Sequence, residues 1–261
     1  YRIVKTKITT MKTYRFLLLH FFFLLYFLPL TGQTPDIPKY EIGLSAGAFI
    51  YQGDLTPNPL GAFNTTKPGF GLYGTRNINR SFALRLQLMR GWLKADESKY
   101  EVPAWRQQRN FLFRTPVTEL SALAVWNLMG LNSNEAGIIN FSPYVFGGLG
   151  YSFLKIKRDW SRFNYTHFAP ESSVISGLDE DINHKLPKGI FEIPVGIGVR
   201  YGLNEKLSFN FESTFRLAGT DYLDGFSQSA NPVMKDHFHT LTVGLIYSFG
   251  KRNKFDCPIV K

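Results

Sequence analysis

The sequence predicts an all-β protein, an eight-stranded antiparallel up-and-down transmembrane β-barrel. Three observations support this prediction. Apolar and polar side chains alternate with a period of two in eight segments of the 261-residue chain, as in strands with one apolar face. The connections between these segments are alternately long and short. Arginine and glutamate residues occur near the middle of the polar faces, where a closed barrel would bury them.

A leader precedes the strands. Met11 to Arg15 is positively charged, residues 16–30 are almost entirely apolar, and small and polar residues follow up to Gln33. This pattern is typical of a secretory signal peptide, which we assign to residues 11–32. A membrane anchor is the alternative, but the 15-residue apolar run is shorter than the roughly 20 residues that a spanning helix needs. We interpret residues 1–10 as upstream or added sequence.

Net charge and cysteine content exclude two classes of site. The formal net charge is +10, but five of the 30 basic residues and none of the 20 acidic residues lie in residues 1–32. The remaining 25 basic and 20 acidic residues give a net charge of +5, so the basic character does not indicate a nucleic-acid-binding surface. The single cysteine, Cys257, excludes an internal disulfide framework and a cysteine metal cluster.

The strands follow one another with the same alternation. In the clearest one, Leu84 and Leu86 flank Arg85, and the pattern continues on both sides. Segments 68–77 and 142–155 are rich in glycine and aromatic residues and alternate less strongly. No segment after the leader has a convincing helical period, so no helix is predicted there. The eight predicted strands are residues 40–51, 68–77, 81–93, 117–128, 142–155, 190–201, 207–216 and 239–249.

The connections indicate how the strands are arranged. Residues 77–80 and 202–205 are tight turns, and 129–140 is intermediate in length. Long and short connections lie at opposite ends of the sheet, as in outer-membrane barrels with short periplasmic turns and long extracellular loops. We assign residues 33–250 to the barrel and residues 251–261 to a basic periplasmic tail. The four long joins are residues 53–67, 94–110, 156–188 and 218–237.

Two classes of barrel share this alternation. A soluble, lipocalin-like barrel turns its apolar face inward, and a membrane barrel turns it outward. The polar face favours the membrane barrel, because it has few lysines and its arginines and glutamates would neutralise one another in a narrow lumen. We expect each glutamate to lie near an arginine and the filled barrel to be a plug, not a pore. The predicted lumen charge network is Arg85, Glu119, Glu192, Arg200, Glu212 and Arg216.

Aromatic residues near the strand ends indicate girdles at the membrane interfaces. The candidates are Tyr40, Tyr51, Trp92, Tyr144, Tyr201 and Phe249.

Four segments carry a resemblance to a known family. They are Tyr51-Gln52-Gly53-Asp54-Leu55, Pro143–Tyr151, Ile193–Gly198 and Thr220–Ser227. Together they resemble the PorG-type outer-membrane β-barrel family, which is associated with the type IX secretion system. The resemblance extends over about residues 39–250. It implies an OmpA-like small barrel with a non-enzymatic accessory or scaffolding role, near the periplasmic ring of the secretion machine.

The loop Thr220–Ser227 has two interpretations. In the first it is a structural turn, because Asp, Gly and Ser build turns by bonding their own backbone. In the second it contacts a partner or closes the barrel. The other motif loop is Tyr51–Leu55, which follows the first strand. The family-motif residues of the two loops are Tyr51, Gly53, Asp54, Leu55, Thr220, Asp221, Tyr222, Leu223, Asp224 and Ser227.

Candidates for chemistry are few. His237 and His239 project from one face near Asp221 and Asp224, but their spacing is not a known metal-ligand pattern. A lipid-modifying hydrolase would need a serine such as Ser227 or Ser229 bonded to a histidine, with an acid behind it, and Asp236 points away from the histidine face. We therefore assign no catalytic, cofactor-binding or metal-binding residue and expect no enzyme activity.

The expected location is the bacterial outer membrane. The expected partners are outer-membrane lipid or lipopolysaccharide and other secretion-complex subunits, with no nucleic acid. The main functional prediction is an accessory or scaffolding component of a type IX-like secretion machine. The alternative is an OmpA- or OmpX-like barrel that stabilises the envelope or contacts surfaces, and a barrel hydrolase is the third.

Overall fold

The computed structural model describes residues 37–131 and 141–251. The predicted leader, residues 11–32, the preceding residues 1–10 and residues 252–261 of the predicted tail lie outside the described residues.

Eight long strands form one closed antiparallel barrel. Each strand pairs with its neighbours along the chain, and the last strand pairs with the first from Lys251 opposite Pro38 to His237 opposite Gln52. The short strand β6 (Lys157–Asp159) extends the sheet beside the start of the fourth strand. The predicted fold class and all eight predicted strands are confirmed. The barrel strands are β1 (Pro38–Gln52), β2 (Lys67–Asn77), β3 (Phe82–Asp96), β4 (Leu112–Asn127), β5 (Phe141–Leu154), β7 (Gly189–Gly202), β8 (Leu207–Ala218) and β9 (His237–Lys251).

Short helices in the long joins show that the prediction of no helix was wrong. The first two have five and four residues, too few to show a period. In the third, Leu178 is buried and Val174, Ile175 and Ile182 pack partly buried against the apolar core. These residues recur at a spacing of three to four, which is a helical period, so the signal for this helix was present in the sequence and was missed. The helices are α1 (Trp105–Arg109), α2 (Tyr165–Phe168) and α3 (Ser172–Asn183), with single 3₁₀ turns at Phe63–Thr65 and Glu97–Lys99.

The outer face of the barrel is apolar. Leu86 is 66% exposed and Phe191 is 80% exposed, and large apolar residues project outward from every barrel strand. Charged side chains such as Arg85 and Glu119 are buried inside. This arrangement is the reverse of a soluble barrel, so the lipocalin-like alternative is wrong. The fold is a transmembrane β-barrel of the outer-membrane type. None of the helices in the two described ranges is long and apolar enough to cross a bilayer.

A ring of exposed aromatic side chains surrounds the end of the barrel that carries the short turns, which we call the short-turn rim. Within it, the ring centroids of Tyr40 and Phe249 are 5.9 Å apart. Trp92 projects outward near the opposite end, the long-loop rim. Tyr51 and Tyr144 were predicted as girdle residues, but they occupy the inward phase of their strands and are buried. The short-turn girdle consists of Tyr40, Phe82, Trp126, Phe141, Tyr201, Phe209, Tyr247 and Phe249.

The interior has two layers. The layer towards the short-turn rim is polar and charged. The layer towards the long-loop rim is an apolar core, which begins with the stacked rings of Phe49 and Phe238, 6.2 Å apart. This core continues out of the barrel through Leu55, Phe111 and Phe226 in three different long joins. The long joins therefore fold together, and we call residues 53–66, 97–111, 155–188 and 219–236 the cap.

We expect the cap to face the outside of the cell and the short turns to face the periplasm. Val233 in the β8–β9 join is 88% exposed, and Glu205 in the β7–β8 turn is also exposed. In a Cys257→Ser background, Val233→Cys should react with a membrane-impermeant maleimide on intact cells. Glu205→Cys should react only after the outer membrane is disrupted. Labelling of Glu205→Cys alone on intact cells would contradict this orientation.

Candidate functional site

The largest cluster of the lumen joins Arg85 of β3 to Glu212 of β8. Arg85 Nη1 donates to Glu212 Oε1 over 2.6 Å, and the same oxygen accepts from the Tyr144 hydroxyl at 2.6 Å and from Asn210 Nδ2 at 3.0 Å. The guanidinium carbon of Arg85 also lies 4.4 Å from the centroid of the Tyr73 ring. Arg85 and Glu212 are buried, so these protein groups replace the water that each charge has lost.

Arg200 of β7 pairs with Glu41 of β1, and not with any of the three predicted glutamates. Its two terminal nitrogens donate to the two carboxylate oxygens at 2.9 and 2.6 Å, which is the bidentate geometry that arginine favours. Glu41 is buried and was missing from the predicted network. The signal was available, because Glu41 lies in the polar phase of β1.

Arg216 of β8 forms the third ion pair, with Glu119 of β4. Its terminal nitrogens also donate to Thr240 Oγ1 at 2.9 Å and to Met89 Sδ at 3.2 Å. Glu192 lies near this pair and is buried, but neither of its carboxylate oxygens accepts a hydrogen bond from a described residue. Glu192 therefore lies near Arg216, as expected, but it forms no ion pair with it, because Glu119 and the other acceptors take the donors of Arg216.

Above these pairs, Glu97 fixes the β3–β4 join of the cap. It is fully buried and accepts hydrogen bonds from Arg106, Arg109 and the backbone N–H of Phe111, all between 2.6 and 3.1 Å. The two arginines then reach other loops: Arg106 donates to the carbonyl of Asp54 at 2.9 Å, and Arg109 donates to that of Ser229 at 3.1 Å. One buried carboxylate thus ties three long joins together.

Asp181 has the same function for helix α3. Its carboxylate is fully buried and accepts from the backbone N–H groups of Ser227, Gln228 and Ser229 at 2.9 to 3.2 Å, and from the Ser229 hydroxyl. Helix α3 belongs to the β5–β7 join, and the three residues that donate to Asp181 belong to the β8–β9 join. The longest loop is therefore held against the loop that carries the second family motif.

The two family-motif loops meet at the hydroxyl of Tyr51. That oxygen lies 2.6 Å from Asp224 Oδ2 and 2.6 Å from Asp236 Oδ1. The other oxygen of Asp236 accepts from the backbone N–H of Leu223 at 3.0 Å. Gly53 is required here, because a Cβ atom at this position would overlap Asp236 Oδ1 and the Tyr51 hydroxyl. We call Tyr51, Asp224 and Asp236 the Tyr–Asp cluster.

The Tyr–Asp cluster must hold an extra proton. A tyrosine hydroxyl donates one hydrogen, so it satisfies only one of the two carboxylates. The second contact of 2.6 Å needs a proton on the other carboxyl, which then donates to the tyrosine oxygen. All three residues are buried, so an unprotonated pair of carboxylates would leave two charges close together without solvent.

The environment of the loop carboxyls agrees with this proton count. Burial raises the pKa of Asp236 to about 8, with the charges of Asp54 and Asp221 adding to the effect. Burial, and then the charge of Asp236, raises the pKa of Asp224 well above its usual range. Burial, followed by the charge of Asp221, raises the pKa of Asp54 to about 7.

The remaining motif residues also serve the cap. Leu55 and Leu223 are fully buried in the apolar core. Asp54 Oδ2 accepts from the backbone of Asn231 at 3.0 Å, and Asp221 accepts from the Ser227 hydroxyl. The Thr220 hydroxyl accepts from the N–H of Tyr222 at 3.1 Å, and the Tyr222 ring stacks on His184 with centroids 3.9 Å apart. Both motif loops therefore contribute contacts within the cap.

The residues considered for hydrolase or metal chemistry do not come together. The hydroxyls of Ser227 and Ser229 donate to Asp221 and Asp181, whereas His237 and His239 are half-buried on the outer phase of β9. His237 lies beside Phe215 and His239 beside Phe63, with ring centroids 5.3 and 5.8 Å apart. In residues 37–131 and 141–251 no group of three or more His, Cys, Asp or Glu side chains is arranged to bind a metal ion.

Removing one partner of the central lumen pair should destabilise the barrel. Glu212→Ala leaves the Arg85 guanidinium buried without its carboxylate, which should lower the free energy of unfolding by about 3–5 kcal/mol. The double variant Arg85→Met/Glu212→Leu removes both charges and should cost less. The control, Glu205→Ala in an exposed turn, should unfold like the wild type. The measurement is urea unfolding in lipid vesicles, and a wild-type midpoint for Glu212→Ala would contradict the prediction.

Raising the pH should loosen the cap. Burial raises the pKa of Asp236 from its ordinary value of 3.8 to about 8 in the folded protein. The stability that this proton contributes is therefore fully present below pH 3.8 and is lost as the pH rises through about 8. Hydrogen exchange at the amides of Leu223 and Asp224, corrected for intrinsic rates, should therefore accelerate between pH 6 and pH 9.

Asp236→Asn mimics the protonated carboxyl, because its amide can donate to the Tyr51 oxygen. This variant should keep at pH 9 the protection that the wild type has at pH 6. Asp179→Asn, an exposed change on α3, should respond to pH like the wild type. Equal pH dependence in all three proteins would show that the cluster does not control the cap.

Comparison with known proteins relates the chain to small outer-membrane barrels. The attachment invasion locus protein Ail of Yersinia pestis is 11% identical, with a TM-score of 0.43 over 83% of this chain and 100% of Ail. Neisserial surface protein A is 11% identical, with a TM-score of 0.46 over 82% and 99% of the two chains. The outer membrane protein OprG of Pseudomonas aeruginosa is 14% identical, with a TM-score of 0.44 over 81% and 97%.

No curated protein sequence matches the chain. The sequence profile of the family described as "Domain of unknown function (DUF6089)" matches residues 18–255. This range contains every strand of the barrel and both motif loops. The chain therefore belongs to the DUF6089 family.

Proposed function

We propose that this protein is a non-enzymatic component of the bacterial outer membrane that acts as an accessory or scaffolding subunit of a type IX-like protein secretion machine. The observation that carries the proposal is the closed interior. Three buried ion pairs fill the polar layer, and the apolar core and cap fill the rest. This filling of the lumen by described residues supports action through the outer surfaces, by binding.

The association with secretion rests on the resemblance to PorG-type barrels. That resemblance includes the two loops that meet at the Tyr–Asp cluster, Tyr51–Leu55 and Thr220–Ser227. Their joint burial supports a shared architecture of the cap. The subunits of a periplasmic ring would meet the barrel at its short-turn rim, where Arg80 and Lys206 are exposed.

Non-enzymatic action is supported by the contacts of the serines. Both hydroxyls that a hydrolase would need are bound to aspartates, and the nearby imidazoles face outward. The cap also offers a lipopolysaccharide-binding edge, since its β5–β7 join carries exposed cations that can form charge-assisted contacts with phosphate groups. These cations are Lys155, Lys157, Lys185 and Lys188.

A second candidate function is an OmpA- or OmpX-like barrel that stabilises the envelope or contacts surfaces. The observation that favours it is a set of exposed apolar side chains on the cap. Leu60, Val102 and Val233 are 69%, 79% and 88% exposed in three different long joins. Such residues suit contact with a partner at the cap.

Crosslinking in the native membrane separates the two candidates. A peptide tag inserted after Val233 should recover periplasmic ring subunits from crosslinked, detergent-solubilised outer membranes. Reversing the short-turn charges with Arg80→Glu/Lys206→Glu should reduce that recovery, and the matched cap variant Lys185→Glu/Lys188→Glu should not. Deletion of the gene should lower the amount of secreted cargo. Recovery of porins and lipoproteins alone, with normal secretion after deletion, would contradict the secretion role and favour the second candidate.

A further inference from the structure

A groove of about 750 Å³ crosses the outer wall of the barrel close to the short-turn rim. Its floor consists of small residues on the outward phase of three strands, Gly74, Ala122, Ala124 and Gly147. A Cβ atom added to Gly74 would meet no atom within 4 Å, so the space above the floor is open. The volume lies in the range of about 300–1,000 Å³ that is typical of ligand sites.

The walls of the groove are large apolar side chains. Ile42, Leu84, Leu86 and Leu149 project outward around the floor, and they are between 48% and 72% exposed. Polar atoms contribute little to this lining. The groove therefore fits an acyl chain, which needs contact along its length and offers no hydrogen-bonding group.

One end of the groove carries positive charge. Arg76 lines it and lies opposite Tyr40 in the β1–β2 ladder, which places Arg76 at the level of the short-turn girdle. A second cavity of about 380 Å³ adjoins the groove, shares Arg76 with it and also includes Lys39. Aromatic girdles mark the boundary where lipid headgroups meet the hydrocarbon, so both cations lie at headgroup level.

Neither of these two cations has an acidic partner among the residues that the structure describes. Within the described ranges, no carboxylate lies within ion-pair distance of Arg76 or Lys39. The lumen arginines, in contrast, are all paired. A guanidinium at the membrane surface without a protein counter-charge is complemented by a lipid phosphate, which arginine binds through two parallel hydrogen bonds.

We propose that this groove is a binding site for one anionic glycerophospholipid of the leaflet at the short-turn rim. Arg76 and Lys39 bind the phosphate, and an acyl chain lies over Gly74, Ala122 and Ala124. The headgroup and the tail are recognised by different parts of the site, the cationic end and the apolar floor. The site depends on the transmembrane fold and not on a role in secretion.

The test is native mass spectrometry of the full chain in a mild detergent, with phosphatidylglycerol or phosphatidylcholine added at equal concentrations. The wild type should retain one phosphatidylglycerol at least tenfold more strongly than phosphatidylcholine. Arg76→Gln should reduce this preference to about twofold or less, because the tail contacts common to both lipids remain and the cation that favours an anionic over a zwitterionic headgroup is lost. Gly74→Leu fills the groove and should remove retention of both lipids.

Two matched variants control for general effects. Arg114→Gln removes an exposed arginine near the long-loop rim, and Ala46→Leu enlarges an outward residue of β1 away from the groove. Both should bind phosphatidylglycerol like the wild type. Folding of each variant is checked by its heat-dependent mobility on gels. Unchanged retention in folded Arg76→Gln or Gly74→Leu, or equal retention of the two lipids by the wild type, would overturn the proposal.

Discussion

The constraint on which the structure depends is that a closed eight-stranded barrel must neutralise every charge it buries. Such a lumen has no room for bulk water, so each of the three lumen guanidiniums is paired with a carboxylate. Among the described residues, Glu192 is the exception, a buried carboxyl that receives no hydrogen bond. Arg85 and Glu212 meet this demand together with Tyr144 and Asn210. A charge that lost its partner here would stay buried without compensation, so the two members of each pair depend on one another.

A second consequence concerns the loops. Above the paired charges the interior is apolar, and an apolar lumen open to water would be unfavourable. The long joins therefore fold down onto it, with Phe111 stacked on Phe226 at a centroid distance of 4.1 Å. Their backbone groups are then buried and need acceptors, which Glu97 and Asp181 supply. Buried loop carboxylates are thus a product of the same closure that fills the barrel.

Sequence reasoning predicted the strands because their alternation is local and each residue reports its own face. It located the lumen arginines for the same reason. It missed Glu41, although this residue lies on the polar face of β1 and could have been included in the network. It could not predict the cap. The partners of Tyr51 are 173 and 185 residues away along the chain, and helix α3 is held by a loop that follows it by more than 40 residues. No local pattern encodes such contacts.

The two faces of a barrel strand meet different surroundings, the lumen and the membrane. Glycines on the two faces therefore have different roles. The absence of a side chain at Gly43 serves the interior, because the Tyr73 ring occupies the space of its Cβ atom. Gly74 faces outward into open space, so no packing inside the barrel explains it. Ala122 and Ala124 lie on the same outer wall, where leucine would cover more of the membrane-facing surface. Small residues at these positions fit the proposed site for a bound lipid, because they leave room on the membrane-facing wall.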